Sequence, residues 1–182
     1  MLKWLRLLLF PFSLIYGLVT AVRNWMFDTG ILRSVKFDIP VISVGNITIG
    51  GTGKTPFTEY LVEQFSDYKV AILSRGYGRQ TRGLVIADAS ANAKTIGDEP
   101  MQYYTKFPGV TVAVCEDRVK GINYLKAEHD LILLDDAFQH RYVQPGFSVL
   151  LFKYSSFFNF QMLLPAGDLR ELFSGYKRAD HI

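Results

Sequence analysis

Gly45-Asn-Ile-Thr-Ile-Gly-Gly-Thr-Gly-Lys-Thr-Pro56 follows the apolar run Val41–Val44 and precedes a stretch with helical spacing. Strand, glycine loop and helix in that order form the setting of a P-loop. Gly50, Gly51 and Gly53 let the backbone turn its N–H groups towards phosphate oxygens, where side chains would obstruct the anion. Lys54 supplies charge to the β- and γ-phosphates, and the Thr55 hydroxyl is suited to Mg²⁺. Pro56 is tolerated because N–H groups in a first helical turn have no helical partner. The loop departs from G-x-x-x-x-G-K-[ST] once, with Thr48 where glycine is expected. The residues expected to cradle ATP with Mg²⁺ are Thr48, Ile49, Gly50, Gly51, Thr52, Gly53, Lys54 and Thr55.

Outward from this loop, short apolar runs alternate with amphipathic stretches, the pattern of strands joined by crossover helices. Strands are expected at Val41–Val44, Val70–Leu73, Leu84–Ala87, Val110–Val114, Leu131–Leu134 and Val149–Phe152. Helices are expected from Lys54 to Phe65, Glu99 to Lys106 and Arg118 to Glu128. The fold class is therefore α/β, P-loop NTPase-like, with a mainly parallel sheet and flanking helices. Ser155–Asp168, rich in aromatics and holding Pro165 and Gly167, reads as a long loop over the sheet.

The run Leu131–Leu134 ends in Asp135-Asp136, a Walker B arrangement that sets a carboxylate beside Mg²⁺; an aspartate there can also cap a helix. Asp98 in Gly97-Asp-Glu-Pro100 suits either a base for an attacking hydroxyl or a helix N-cap. Arg75 and Arg118 each follow a strand's carboxyl end, where sites in open α/β sheets form, and either can clamp phosphate or sit solvated.

With 182 residues, 49% hydrophobic and 20% charged, one ordinary core is expected. A net charge of +3 gives no basic patch for nucleic acid. Cys115, the sole cysteine, excludes a disulfide framework within the chain and fits a buried strand thiol in a reducing compartment. Residues 1–27 are set apart from residues 28–182 by apolar crowding between Lys3, Arg6 and Arg23. A signal peptide would export the nucleotide loop, and a spanning helix of about 20 apolar residues is interrupted by Pro11. Lys3, Arg6, Ser13, Tyr16, Thr20, Arg23 and Asn24 share roughly half of a helical wheel. The preferred reading is an amphipathic helix at a membrane surface, with its cations near anionic headgroups and Trp4 and Trp25 at the boundary. Packing on the soluble domain or in an oligomer would use the same stripe.

Together these segments resemble the tetraacyldisaccharide 4'-kinases, which phosphorylate a lipid A precursor during lipopolysaccharide assembly. The resemblance rests on the P-loop with its Thr48 departure, Ser74-Arg-Gly-Tyr-Gly-Arg79, Gly97-Asp-Glu-Pro100, Asp117-Arg118, Asp135-Asp-Ala-Phe-Gln-His-Arg141 and Leu164-Pro-Ala-Gly167, in order and spacing. It implies an enzyme on the cytoplasmic face of the inner membrane that uses MgATP to phosphorylate the 4' hydroxyl of an acylated glucosamine disaccharide, with no obligate protein partner. By similarity, Lys54 and Thr55 handle phosphate and Mg²⁺, Asp98 serves the acceptor hydroxyl, and Asp135 and Asp136 hold metal or order the site. Arg118 then meets phosphate charge, and Gln139, His140 and Arg75 lie towards the substrate. Ala137 replaces a glycine usual in the family, and the family's C-terminal domain, with its histidine partner for the catalytic aspartate, has no match here. The main rival is a ParA- or MinD-like switch ATPase, which carries a lysine just before the first glycine, where this chain has Ile49. A membrane-docking module with a vestigial nucleotide site is the second rival.

Overall fold

The apolar runs form a sheet covered on both faces. A computed structural model describes residues 6–154 and 161–182. The strands are β1 (Val35–Lys36), β2 (Val41–Gly45), β3 (Val70–Ser74), β4 (Val85–Ile86), β5 (Thr111–Val114), β6 (Leu131–Asp135), β7 (Val143–Gln144) and β8 (Phe147–Leu150). The helices are α1 (Phe10–Asp28), α2 (Lys54–Gln64), α3 (Ala93–Ile96), α4 (Asp98–Lys106) and α5 (Arg118–Leu125), followed by a 3₁₀ turn at Phe173–Arg178. Six strands lie in the order β4-β5-β3-β6-β2-β8, parallel except for the antiparallel edge strand β4, and β1 pairs with β7 apart from them.

Alternation along β3 and β6 builds both layers. Ala71, Leu73, Ile132 and Leu134 meet Ile122 and Leu125 of α5 on one face, while Val70, Ile72, Leu131 and Leu133 meet Val62 of α2 and Tyr103 of α4 on the other. A one-residue slip would exchange the two sets, so packing on both faces fixes the register. That register pairs Val44 with Asp135 and Leu73 with Leu134, bringing the carboxyl ends of β2, β3 and β6 to one edge. Cys115 is buried just past β5.

The predicted Val149–Phe152 strand is observed two residues earlier, at Phe147–Leu150. Its start pairs with β2 although Phe147 is exposed, and the pairing ends at Leu150 with a last bond from Leu151 N to Gly45 O. Pro11 does not interrupt α1; it sits in the first turn, where a missing N–H costs no helical bond.

The orientation of α1 corrects the sequence expectation. Its polar stripe faces the protein: Ser13 Oγ donates to Leu163 O at 3.0 Å, Tyr16 Oη to Arg170 O at 2.6 Å and Arg23 Nη2 to Gln139 O at 2.8 Å. Arg6, just before α1, pairs with Asp168 at 2.9 Å. Arg6 and Arg23 therefore do not face outward to headgroups, while Lys3 and Trp4 lie outside the described residues. The physical cause is the irregular segment beneath the helix, whose carbonyls need donors. The apolar side points outward, with Phe12, Leu14, Ile15, Leu18 and Val19 each at least 60% exposed. Among the described residues, no helix is long and apolar enough to cross a membrane.

Candidate functional site

At the carboxyl edge of the sheet, the P-loop turns from β2 into α2. Gly45 ends β2 against the loop after β6; a Cβ there would lie 2.6 Å from Phe138 Cβ and 2.9 Å from Phe138 N. Gly50 and Gly53 have φ of 105° and 87°, the left-handed region that glycine enters without strain. Asn46, fully buried, donates to Thr52 Oγ1 at 2.9 Å and braces the loop from inside. No side chain caps the N-terminus of α2, leaving its amides and helix dipole available to an anion. The departure at Thr48 has a local cause. Thr48 has no positive φ and bridges antiparallel to Leu169, with Ile49 N donating to Asp168 O and Arg170 N to Ile47 O, both at 2.8 Å.

The loop opens on a cleft of about 1100 Å³. Ile49 through Thr55 line it, with Arg75, Glu99, Arg118, Asp136, Gln139, His140 and Arg170; Tyr16 and Arg23 of α1 form part of its wall. Most of the residues expected from sequence thus converge. Asp98 does not line this cleft: it is exposed at the start of α4, in a separate depression with Met101, Gln102 and Lys106. Nor does it cap α4, whose N-cap is Gly97. Its neighbour Glu99 faces the cleft.

The two aspartates have different surroundings. Asp135 is fully buried, and among the described residues neither oxygen has a hydrogen bond of ordinary geometry, although the equally unpaired Tyr103 hydroxyl is close enough to influence it. Burial, then the charges of Glu99 and Asp136, push its carboxyl up to about 7. It caps no helix, and its open acceptors suit a cation. Asp136, at φ 47°, turns back to accept two bonds from Arg170 Nη1 at 2.9 and 3.0 Å and lies 3.6 Å from Lys54 Nζ.

Arg118 is buried, its Nε lacks a partner among the described residues, and burial followed by repulsion from Arg75 lowers its pKa to about 10. An incoming phosphate would complete that guanidinium. His140 is held neutral, its pKa lowered to about 4 by burial and then by Arg118. Gln139 donates its amide to Asn46 O at 2.8 Å and Glu171 Oε1 at 3.0 Å, bracing the loop from below.

Thr55 and Asp136 stand with Asp135 near the loop. Among the described residues no three His, Cys, Asp or Glu side chains gather into a metal cage. Mg²⁺ needs none, since beside phosphate it is bound through one or two carboxylates and keeps several waters. Sequence reasoning missed Arg170, Glu171 and Glu99. Glu99 lies inside Gly97-Asp-Glu-Pro100, and Arg170 follows Leu164-Pro-Ala-Gly167 by three residues, the only cue in the sequence for it.

The family model of tetraacyldisaccharide-1-P 4'-kinase matches residues 5–182. A tetraacyldisaccharide 4'-kinase of Bacteroides thetaiotaomicron is 54% identical over 182 residues, covering 97% of this chain and 47% of its own length. One from Flavobacterium johnsoniae is 52% identical over 180 residues, covering 97% and 53%. The crystal structure of "apo" form LpxK from Aquifex aeolicus in complex with ATP superposes with a TM-score of 0.90 at 40% identity, over 97% of this chain and 57% of that one. The chain spans about half the length of the relatives it matches. Matched by the family model over residues 5–182 and about half identical to curated members over nearly its full length, the chain belongs to the tetraacyldisaccharide-1-P 4'-kinase family.

Proposed function

We propose that this chain provides the nucleotide-binding half of a lipid kinase that transfers the γ-phosphoryl group of ATP to the 4' hydroxyl of an acylated glucosamine disaccharide 1-phosphate. The acceptor oxygen forms the new P–O bond, the bond to the β-phosphate breaks, ADP leaves, and the hydroxyl proton passes to a base. The observation that carries the reading is the open P-loop beside a buried Asp135 whose oxygens have no hydrogen bond of ordinary geometry among the described residues.

Residues from Thr48 to Thr55 hold the triphosphate through main-chain amides, and Lys54 bears on its β- and γ-oxygens. Arg118 and Arg170 meet charge that develops on the transferring group. Lys54 and Arg170 both pair with Asp136, which orients the two cations. Thr55 and Asp135 would hold Mg²⁺, with Glu99 beside them and Asp136 ordering the cations. Bound magnesium supplies charge neutralisation at the phosphates. Asp98 is the proposed proton acceptor for the 4' hydroxyl, a role that rests on family resemblance, and His140, Gln139 and Arg75 border the acceptor side.

Residues 1–27 serve as the membrane-associated segment and residues 28–182 as the kinase domain. The outward apolar side of α1 is suited to the acyl region of the inner membrane's cytoplasmic face, where ATP and the lipid acceptor meet. No nucleic acid or obligate protein partner enters the reaction.

The test is incubation of the full-length protein containing this sequence with γ-labelled ATP and acylated disaccharide 1-phosphate in mixed micelles. A labelled bisphosphorylated lipid is expected, and Lys54→Ala should abolish it. Label released only as inorganic phosphate would refute the reading.

A further inference from the structure

Residues Leu163–Glu171 form a strap between α1 and the P-loop. On the loop side, Thr48 bridges Leu169, and main-chain bonds join Ile49 to Asp168 and Arg170 to Ile47, each 2.8 Å long. On the helix side, Tyr16 Oη donates to Arg170 O at 2.6 Å, and Asn24 Nδ2 donates to Glu171 Oε2 at 3.0 Å. Ser13 clamps the near end, donating to Leu163 O at 3.0 Å and accepting from Ala166 N at 2.9 Å. A Cβ on Gly17 would come within 2.6 Å of Leu163 Cδ1, so helix and strap are in close contact.

Arg170 therefore has three tethers. Its N–H is tied to the P-loop, its carbonyl to Tyr16 and its guanidinium to Asp136. Glu171, 3% exposed, joins Asn24 to Gln139, which bonds Asn46 O at the start of the P-loop. Two continuous routes thus run from the polar face of α1 to the groups that surround phosphate.

We propose that Tyr16 and Asn24 of α1 are positioning residues for the phosphate site, Tyr16 by fixing the backbone that aims Arg170 and Asn24 by holding Glu171 and, through it, Gln139. The inference rests on the nucleotide reading above and extends it: the helix whose outer side is apolar sets the geometry of phosphate binding with its inner side. Neither side chain takes part in the chemistry, and through Tyr16 and Arg170 the effect falls on nucleotide affinity.

The experiment is a double-mutant cycle on the full-length protein, read by calorimetric titration with a non-hydrolysable ATP analogue and Mg²⁺. Tyr16→Phe removes one donor and keeps the ring. Loss of that bond is expected to weaken nucleotide binding about fivefold, to raise the KM for ATP, and to leave the KM for the lipid acceptor unchanged. On an Arg170→Ala background, Tyr16→Phe should cause no further loss. Equal losses on both backgrounds, an Arg170→Ala variant of unaltered affinity, or a Tyr16→Phe variant that binds as before would each overturn the inference. Should Tyr16→Phe fail to fold, Asn24→Ala tests the second route, paired with Gln139→Ala and judged by the same non-additivity. No binding by the unmodified protein would sink the nucleotide reading together with this inference. Binding indifferent to these substitutions would sink this inference alone.

Discussion

Asp135→Asn should stabilise the nucleotide-free protein, and the gain should depend on pH. In the fold the carboxyl titrates at about 7 against an ordinary 3.8, chiefly because burial disfavours its charge. As pH rises from about 4 to about 7, the unfolded chain releases this proton while the folded chain retains it, so the group's contribution to stability falls through that window and then levels off. At about 1.36 kcal/mol per pH unit, the rise amounts to about 4 kcal/mol as a ceiling, which is about 8 to 16 °C in Tm for a domain of this size. Asparagine matches the shape of the protonated acid and carries no charge. Thermal melts of both proteins in chelator, from pH 4 to 8, should coincide near pH 4 and separate progressively up to about pH 7. A separation independent of pH, or a variant less stable at pH 8, would show that Asp135 is not charged at a desolvation cost. The same variant should bind MgATP more weakly than the original.

Glu99 faces the cleft and Asp98 does not. Glu99→Ala is accordingly expected to weaken Mg²⁺-dependent nucleotide binding about tenfold, whereas Asp98→Ala should leave binding intact and lower the single-turnover rate of phosphoryl transfer; full turnover by the Asp98 variant would remove it from the proposed chemistry. Gly45→Ala would place a methyl 2.6 Å from Phe138 Cβ. It should cost about 1–3 kcal/mol and lower Tm by several degrees, and an unchanged melt would mean that the neighbouring loop yields freely. Leu18→Asp with Val22→Asp, both on the outward side of α1 at 66% and 47% exposure, should reduce sedimentation with anionic vesicles and leave Tm within about 2 °C; undiminished co-sedimentation would assign that side to something other than lipid.

The central strands were legible because the pattern that folds them is local. Val70–Leu73 and Leu131–Leu134 are continuous apolar runs of strand length, and only a sheet covered on both faces accommodates them. The P-loop was legible because glycine, lysine and threonine are each required there for a separate physical reason. Less could be read wherever distant segments set the outcome. The stripe on α1 was visible, but a wheel shows only that two faces differ, and the partner that drew the polar one inward lies in Leu163–Glu171, far along the sequence. Arg170 had no periodicity or motif of its own, since its position comes from pairing with Ile47. β1 and β7, two residues each, are too short for any alternation to register.

The inverted seating of α1 sets the terms for handling the molecule in solution. In plain aqueous buffer the side of the helix that meets solvent is a ridge from Phe12 to Trp25, and two copies brought together there would shed water from it with no ion pair to break. Self-association should therefore rise with concentration and give way to monomers when a mild detergent coats the ridge. Charges introduced at Leu14, Leu18 or Val22 would achieve the same without amphiphile, because the polar anchors that hold the helix in place lie on its opposite side.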